Sequence, residues 1–128
     1  MHRTLILLAL AATTASAQTG GGFRVEESGR SFYRLDDAVK SLGDGSGTII
    51  VASGRYPDCA VFTGANLTLR AATSSSAIFE GGACEGKATL VLRGSSATVD
   101  GIVFRGIRVP DRNGSGIRLE RGNLNVIR

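Results

Sequence analysis

The chain has 128 residues, a formal net charge of +4, 18 glycines, two prolines and no tryptophan. This length suits one domain, and the glycines predict many turns and short strands with little helix. Positive and negative residues alternate without a basic run or a recognised nucleic-acid-binding module, which argues against nucleic acid as a partner.

Residues 1–17 have the three parts of a secretory signal peptide. Arg3 belongs to a short basic start, residues 5–12 form an apolar run too short to span a bilayer, and residues 15–17 are small, as at a cleavage site. Cleavage before Gln18 would leave a periplasmic or secreted protein with no membrane partner. The alternative interpretation is a buried N-terminal helix.

Cys59 and Cys84 are the two cysteines of the chain. Export would place them in an oxidising compartment, and an even count with none left over predicts one disulfide. The only histidine, His2, lies in the predicted leader, so no metal site and no histidine-dependent catalytic triad is expected in the mature chain.

Residues 18–30 begin as a flexible, glycine-rich segment in which residues 23–25 have the pattern of a short strand. The next segment, residues 32–42, carries apolar residues at helical spacing. Ser31 is suited to cap the start of this helix and Gly43 to end it.

From residue 48 onward, short apolar segments alternate with glycine-containing turns, and they sort into three rows of stacked strands. The first row holds residues 49–51, 90–92 and 117–119; the second holds 67–69, 97–99 and 124–126; the third holds 77–79 and 102–104. In each of the first two rows, the last step is 27 residues. A shared step of this kind indicates a repeat.

The repeat predicts an all-β fold, a right-handed parallel β-helix (solenoid) with an N-terminal capping helix, ending after about two and a half coils. Residues 31–128 would form the cap and the first coils. Asn66 and Asn123 precede second-row strands, where they either stack between coils or cap turns. A β-sandwich is the alternative all-β fold, but it does not explain the 27-residue step.

The segment Phe-Tyr-Arg-Leu-Asp-Asp-Ala-Val-Lys-Ser-Leu-Gly-Asp-Gly at 32–45, followed by Gly-Thr-Ile-Ile-Val-Ala-Ser-Gly-Arg-Tyr at 47–56, resembles the N-terminal cap and first strand of pectate-lyase-like proteins. Residues 98–106 are similar to the internal coils of that family. The resemblance implies a bacterial exported protein that acts on or binds polysaccharide. It also implies calcium in a full-length protein, with catalytic groups on later coils, so no residue here is assigned a catalytic role.

Arg93, Arg118 and Glu120 are predicted to lie together on an outer strand face, where they would begin a subsite for an acidic sugar. The alternative is a solvated ion pair that contributes little. Asp100 and Asp111 are weaker candidates for calcium ligands, since a bend and a loop explain them as simply.

Two classes of function follow from the sequence. One is an enzyme of extracellular polysaccharide, either lyase-like or glycosidase-like, although these residues alone carry no recognisable catalytic set. The other is a noncatalytic module for structure or adhesion. In either class, the unpaired edge near Arg128 is expected to meet further coils of the same chain or another chain.

Overall fold

The structure is a computed structural model that describes residues 21–128. The predicted signal peptide, its cleavage site and the first residues of the glycine-rich segment lie outside the described residues, and the domain boundaries at 17 and 30 stay predictions. Within the described part, no helix has the length and apolar character that crossing a bilayer requires.

The secondary structure consists of short strands, two long strands and a single short helix within the described residues. In chain order these elements are β1 (Phe23–Val25), β2 (Ser31–Phe32), α1 (Leu35–Lys40), β3 (Ser46–Val51), β4 (Gly54–Tyr56), β5 (Ala60–Phe62), β6 (Asn66–Ala71), β7 (Ala77–Glu80), β8 (Ala88–Asp100), β9 (Ile102–Arg105) and β10 (Ser115–Ile127).

The strands form two sheets around one apolar core. The seven-stranded sheet has the order β10-β8-β6-β3-β1-β2, and β5 pairs with β8 beside this path. The second sheet contains β4, β7 and β9. Pairing is parallel throughout the second sheet and among β3, β5, β6, β8 and β10, whereas β1 pairs antiparallel with both β2 and β3.

The predicted fold class, an all-β right-handed parallel β-helix, is wrong. The described chain is a mixed α/β structure with a seven-stranded mixed sheet and a three-stranded parallel sheet. The 27-residue step relates only β8 to β10, where Ile117 pairs with Leu90 and Leu124 pairs with Ala97. Between β3 and β6 the step is 20 residues, from Ser46 to Asn66. One repeated step could not reveal the antiparallel pairings at the start of the chain.

Two of the three predicted rows have the correct neighbours. Second-row residues 67–69, 97–99 and 124–126 pair in register, and third-row residues 77–79 pair with 102–104. The first row is wrong at its start, because Ile49 pairs with Leu69 in the second row. Its place beside β8 is taken by β5, where Ala60 pairs with Leu90.

The predicted helix is confirmed only in its centre. The observed α1 is six residues long, and Ser31 belongs to β2, so the predicted cap at Ser31 is wrong. A distant side chain satisfies the helix start instead: the Leu35 N–H donates to Asp58 Oδ2 at 2.9 Å. Leu35, Ala38 and Val39 are buried, which confirms the apolar stripe.

The predicted disulfide between Cys59 and Cys84 is confirmed, with the two Cα atoms 5.5 Å apart. It joins the start of β5 to the loop between β7 and β8. A disulfide of this kind fits a protein of an oxidising, extracellular-type compartment.

Candidate functional site

The candidate site lies on the outer face of the ladder between β8 and β10. Glu120 is directly opposite Arg93 in this parallel pairing, and Arg118 is opposite Val91. Alternate residues of a strand point to opposite faces, and Leu90 and Leu92 are fully buried. The apolar alternation therefore turns Arg93 and Glu120 outward on neighbouring strands.

Glu120 is the centre of an ion-pair network with three cations. Its Oε1 accepts from Arg93 Nε at 2.7 Å, and its Oε2 accepts from Lys87 Nζ at 2.9 Å and from Arg118 Nε at 3.1 Å. Arg93 also donates to Glu85, through Nη1 at 3.1 Å and through Nη2. We call these five residues, Glu85, Lys87, Arg93, Arg118 and Glu120, the Glu120 cluster.

The structure brings together all three residues that the sequence singled out, Arg93, Arg118 and Glu120. Their proximity is confirmed, while their role in binding stays a prediction. Glu85 and Lys87 were missed, because they lie in a loop whose path no strand pattern reveals. Their position beside Cys84 was the one available signal, since the disulfide fixes this loop against β5.

Three cations against two carboxylates leave the Glu120 cluster with a net charge of +1. Its side chains are 25% to 46% exposed, so the cluster is accessible to a ligand from solvent. Hydrogen bonds from Arg93 and then Lys87 lower the pKa of Glu120 to about 2, from an ordinary 4.5. The hydrogen bond from Arg93 likewise lowers the pKa of Glu85, and Glu85 and Glu120 together raise the pKa of Arg93.

The low pKa of Glu120 predicts a loss of stability in acid. Ionised Glu120 stabilises the folded chain above pH 4.5, and this contribution disappears as the pH falls from 4.5 to about 2, because the folded carboxylate must then take up a proton. Unfolding midpoints measured across this range should fall less steeply for Glu120→Gln than for the unchanged protein. Parallel curves for the two proteins would contradict the assignment.

A polar surface continues from the Glu120 cluster across the bend in both strands. Ser96 and Thr98 of β8 lie opposite Asn123 and Asn125 of β10, and Asn66 of β6 lies opposite Ser96. These side chains help to line a shallow cavity of about 270 Å³. Asn66 and Asn123 therefore lie two strands apart in one column of the sheet with Ser96 between them, and the choice between stacking and turn capping stays a prediction.

Calcium ligation finds no support at Asp100 or Asp111. Asp100 pairs with Arg70 and Ile127 within the sheet, and Asp111 Oδ1 accepts the backbone N–H of Asn113 at 3.0 Å in a local turn. Across residues 21–128, no three or more acidic, histidine or cysteine side chains are grouped so that they could hold a metal ion.

Comparison with known proteins gives no relative: no family model, curated protein or solved structure matches this chain.

Proposed function

We propose that this protein is exported and binds an acidic extracellular polysaccharide through the Glu120 cluster. The observation that carries the proposal is the accessible convergence of three cations, from β8, β10 and the loop before β8, in a cluster with a net positive charge. The disulfide and the signal-peptide pattern support export. The arginine-rich composition supports an anionic ligand, since guanidinium groups match carboxylates in shape and charge.

Arg118 is the proposed contact for the ligand carboxylate. Arg118 donates to Glu120 through Nε, which leaves its two terminal amino groups available to a ligand carboxylate. Arg93, by contrast, uses Nε, Nη1 and Nη2 on Glu120 and Glu85, so it positions the carboxylates of the cluster. A uronate carboxylate would accept two parallel N–H bonds from Arg118, and the neighbouring hydroxyl and amide groups at Ser96 and Asn123 would bond sugar hydroxyls.

Binding is favoured over catalysis by the state of Arg93. The hydrogen bonds that Arg93 donates to Glu85 and Glu120 raise the pKa of Arg93, so this guanidinium is a poor candidate for a base that removes a proton from a sugar. The cluster therefore supports a noncatalytic binding or adhesion module.

Polygalacturonate and its methyl-esterified form provide a matched pair of ligands that differ in carboxylate charge. We expect the chain to bind the acidic polymer in affinity electrophoresis and to bind it more weakly as salt rises, because exposed charges are screened. Arg118→Gln should weaken binding about fivefold, as expected for the loss of one exposed charge-assisted contact.

Arg55→Gln is the matched control, because Arg55 also makes a single exposed ion pair, with Glu80, on the other sheet. This variant should retain full affinity, and both variants should unfold at nearly the same temperature as the unchanged protein. Equal binding of the esterified and acidic polymers, or equal weakening in both variants, would refute the proposal.

A further inference from the structure

The loop between β9 and β10, residues 106–114, ends with the dipeptide Asn113-Gly114. Asn113 is exposed. Its backbone N–H donates to Asp111 Oδ1 at 3.0 Å, whereas its side-chain amide makes no hydrogen bond with any residue of the described chain. The side-chain carbonyl carbon of Asn113 is therefore open to attack by a nucleophile.

The backbone nitrogen of Gly114 is the nucleophile next to this carbon. Across residues 21–128, no acceptor receives a hydrogen bond from the Gly114 N–H, although the following N–H, that of Ser115, donates to the Lys87 carbonyl at 3.1 Å. Because glycine has no side chain, the peptide can rotate and bring its nitrogen toward the Asn113 carbonyl carbon with little steric resistance. The two reacting groups are thus neighbours without competing hydrogen bonds.

We propose that Asn113 is a site of spontaneous deamidation, a modification in which water is the only co-reactant. Asparagine is one of the thermolabile residues of proteins. The Gly114 nitrogen gives its proton to a base in solution, and its lone pair forms a bond to the side-chain carbonyl carbon of Asn113. The C–N bond of the side-chain amide then breaks, and ammonia leaves with a proton from water. The product is a cyclic imide, and no atom is oxidised or reduced.

Water then opens the imide at either of its carbonyl groups. Attack at the former side-chain carbonyl gives aspartate, and attack at the main-chain carbonyl gives isoaspartate, in which the main chain passes through the side-chain carbon and is longer. Each product has a carboxylate in place of the amide. The chain therefore gains a negative charge and the mass difference between water and ammonia.

The fold protects the other three asparagines of the chain, Asn66, Asn123 and Asn125, which lie in strands. Each is in register with a residue of β8, and each is followed by a leucine or a valine rather than a glycine. Closing the imide ring at these positions would require the strand to leave its ladder, and core strands open at a higher free energy than loops. The structure therefore selects Asn113 as the reactive asparagine.

Deamidation at this position would change the charge beside a cavity. Arg108, Arg112 and Gly114 help to line a cavity of about 360 Å³. Residues 106–114 contain two arginines and one aspartate, a net charge of +1, and a carboxylate at position 113 would bring this charge to zero. The loop would thus lose its attraction for anions as the protein ages. This inference does not depend on polysaccharide binding by the Glu120 cluster.

Peptide mapping of the folded, unchanged chain by mass spectrometry tests the proposal. During days of storage at neutral pH, the peptide that contains Asn113 should convert to aspartate and isoaspartate forms. The rate should rise with pH, because the attacking nitrogen must lose its proton. Peptides that contain Asn66, Asn123 and Asn125 are internal controls and should stay unchanged. Conversion of these asparagines at the same rate as Asn113, or no conversion at Asn113, would overturn the proposal.

The same measurement in denaturant separates the effect of the loop from that of the dipeptide. Asn113 in the folded chain should convert within about tenfold of its rate in the unfolded chain, since a loop needs little local opening. A greater slowing in the folded chain would show that the fold protects Asn113 and would overturn the inference.

Asn113→Gln and Asn113→Asp are matched variants at the same exposed position. Asn113→Gln lengthens the side chain, which disfavours ring closure, so this variant should keep its charge on storage. Asn113→Asp should run with the stored, unchanged protein in isoelectric focusing, and unfolding midpoints show that each variant is folded. A stored Asn113→Gln chain that acquires the same shift in charge would contradict the assignment to Asn113.

Discussion

Replacing Phe79 by alanine is expected to lower the free energy of unfolding by about 4 kcal/mol, within the range for buried aromatic truncations. Phe79 is fully buried on β7, and its ring lies 5.5 Å from that of Tyr56 and 5.8 Å from that of Phe104, measured between centroids. The ring of Phe23 is 6.1 Å away on the other sheet. This side chain therefore packs between both sheets. Because β7 is hydrogen-bonded to β4 on one side and to β9 on the other, the backbone cannot move in to fill the cavity that the alanine would leave.

Denaturant unfolding of Phe79→Ala and Phe79→Leu provides the measurement and its graded control. The leucine variant fills most of the space and should lose less than half as much stability as the alanine variant, because cavity size sets much of the cost. A loss below about 1 kcal/mol for Phe79→Ala would show that this ring does not lie in the core.

Removing the disulfide with Cys59→Ala/Cys84→Ala is expected to cost about 3.5 kcal/mol, the loop-entropy value for a link across 25 residues. The loop that carries Cys84 also carries Glu85 and Lys87, two members of the Glu120 cluster, and it positions them beside Arg93 and Glu120. We therefore expect the same variant to lose part of its affinity for acidic polymer, because two members of the cluster would be less well positioned.

The reduced, unchanged protein is the control for this variant, since it keeps both cysteine side chains. It should match the double variant in denaturant unfolding, while a thiol assay on the oxidised protein should find no free thiol. Two free thiols in protein isolated under oxidising conditions would contradict the disulfide, and an unchanged unfolding free energy would contradict its stabilising role.

Local patterns were sufficient for the features that depend on neighbouring residues. Alternating apolar residues revealed most strands, and the shared step of 27 residues correctly paired β8 with β10. That register also placed Arg93 and Glu120 on one face. The positions of most strands, the disulfide and the proximity of Arg93, Arg118 and Glu120 were therefore predictable without coordinates.

Features set by distant contacts were not predictable in this way. The start of α1 depends on Asp58, which lies 23 residues beyond Leu35, so a local cap at Ser31 was the wrong expectation. The antiparallel pairing of β1 with β3 and the insertion of β5 beside β8 changed the fold class from the predicted solenoid to a mixed α/β structure.

The sequence by itself determined most of the extended segments, which of their side chains face inward, and that the two cysteines pair, but it missed the strands β2 and β5. Only the tertiary structure decided which strands are neighbours at the start of the chain and that Glu85 and Lys87 complete the Glu120 cluster. The physical reason is that side-chain alternation is a property of a single strand, whereas the choice of neighbour depends on long-range burial, which several registers can satisfy.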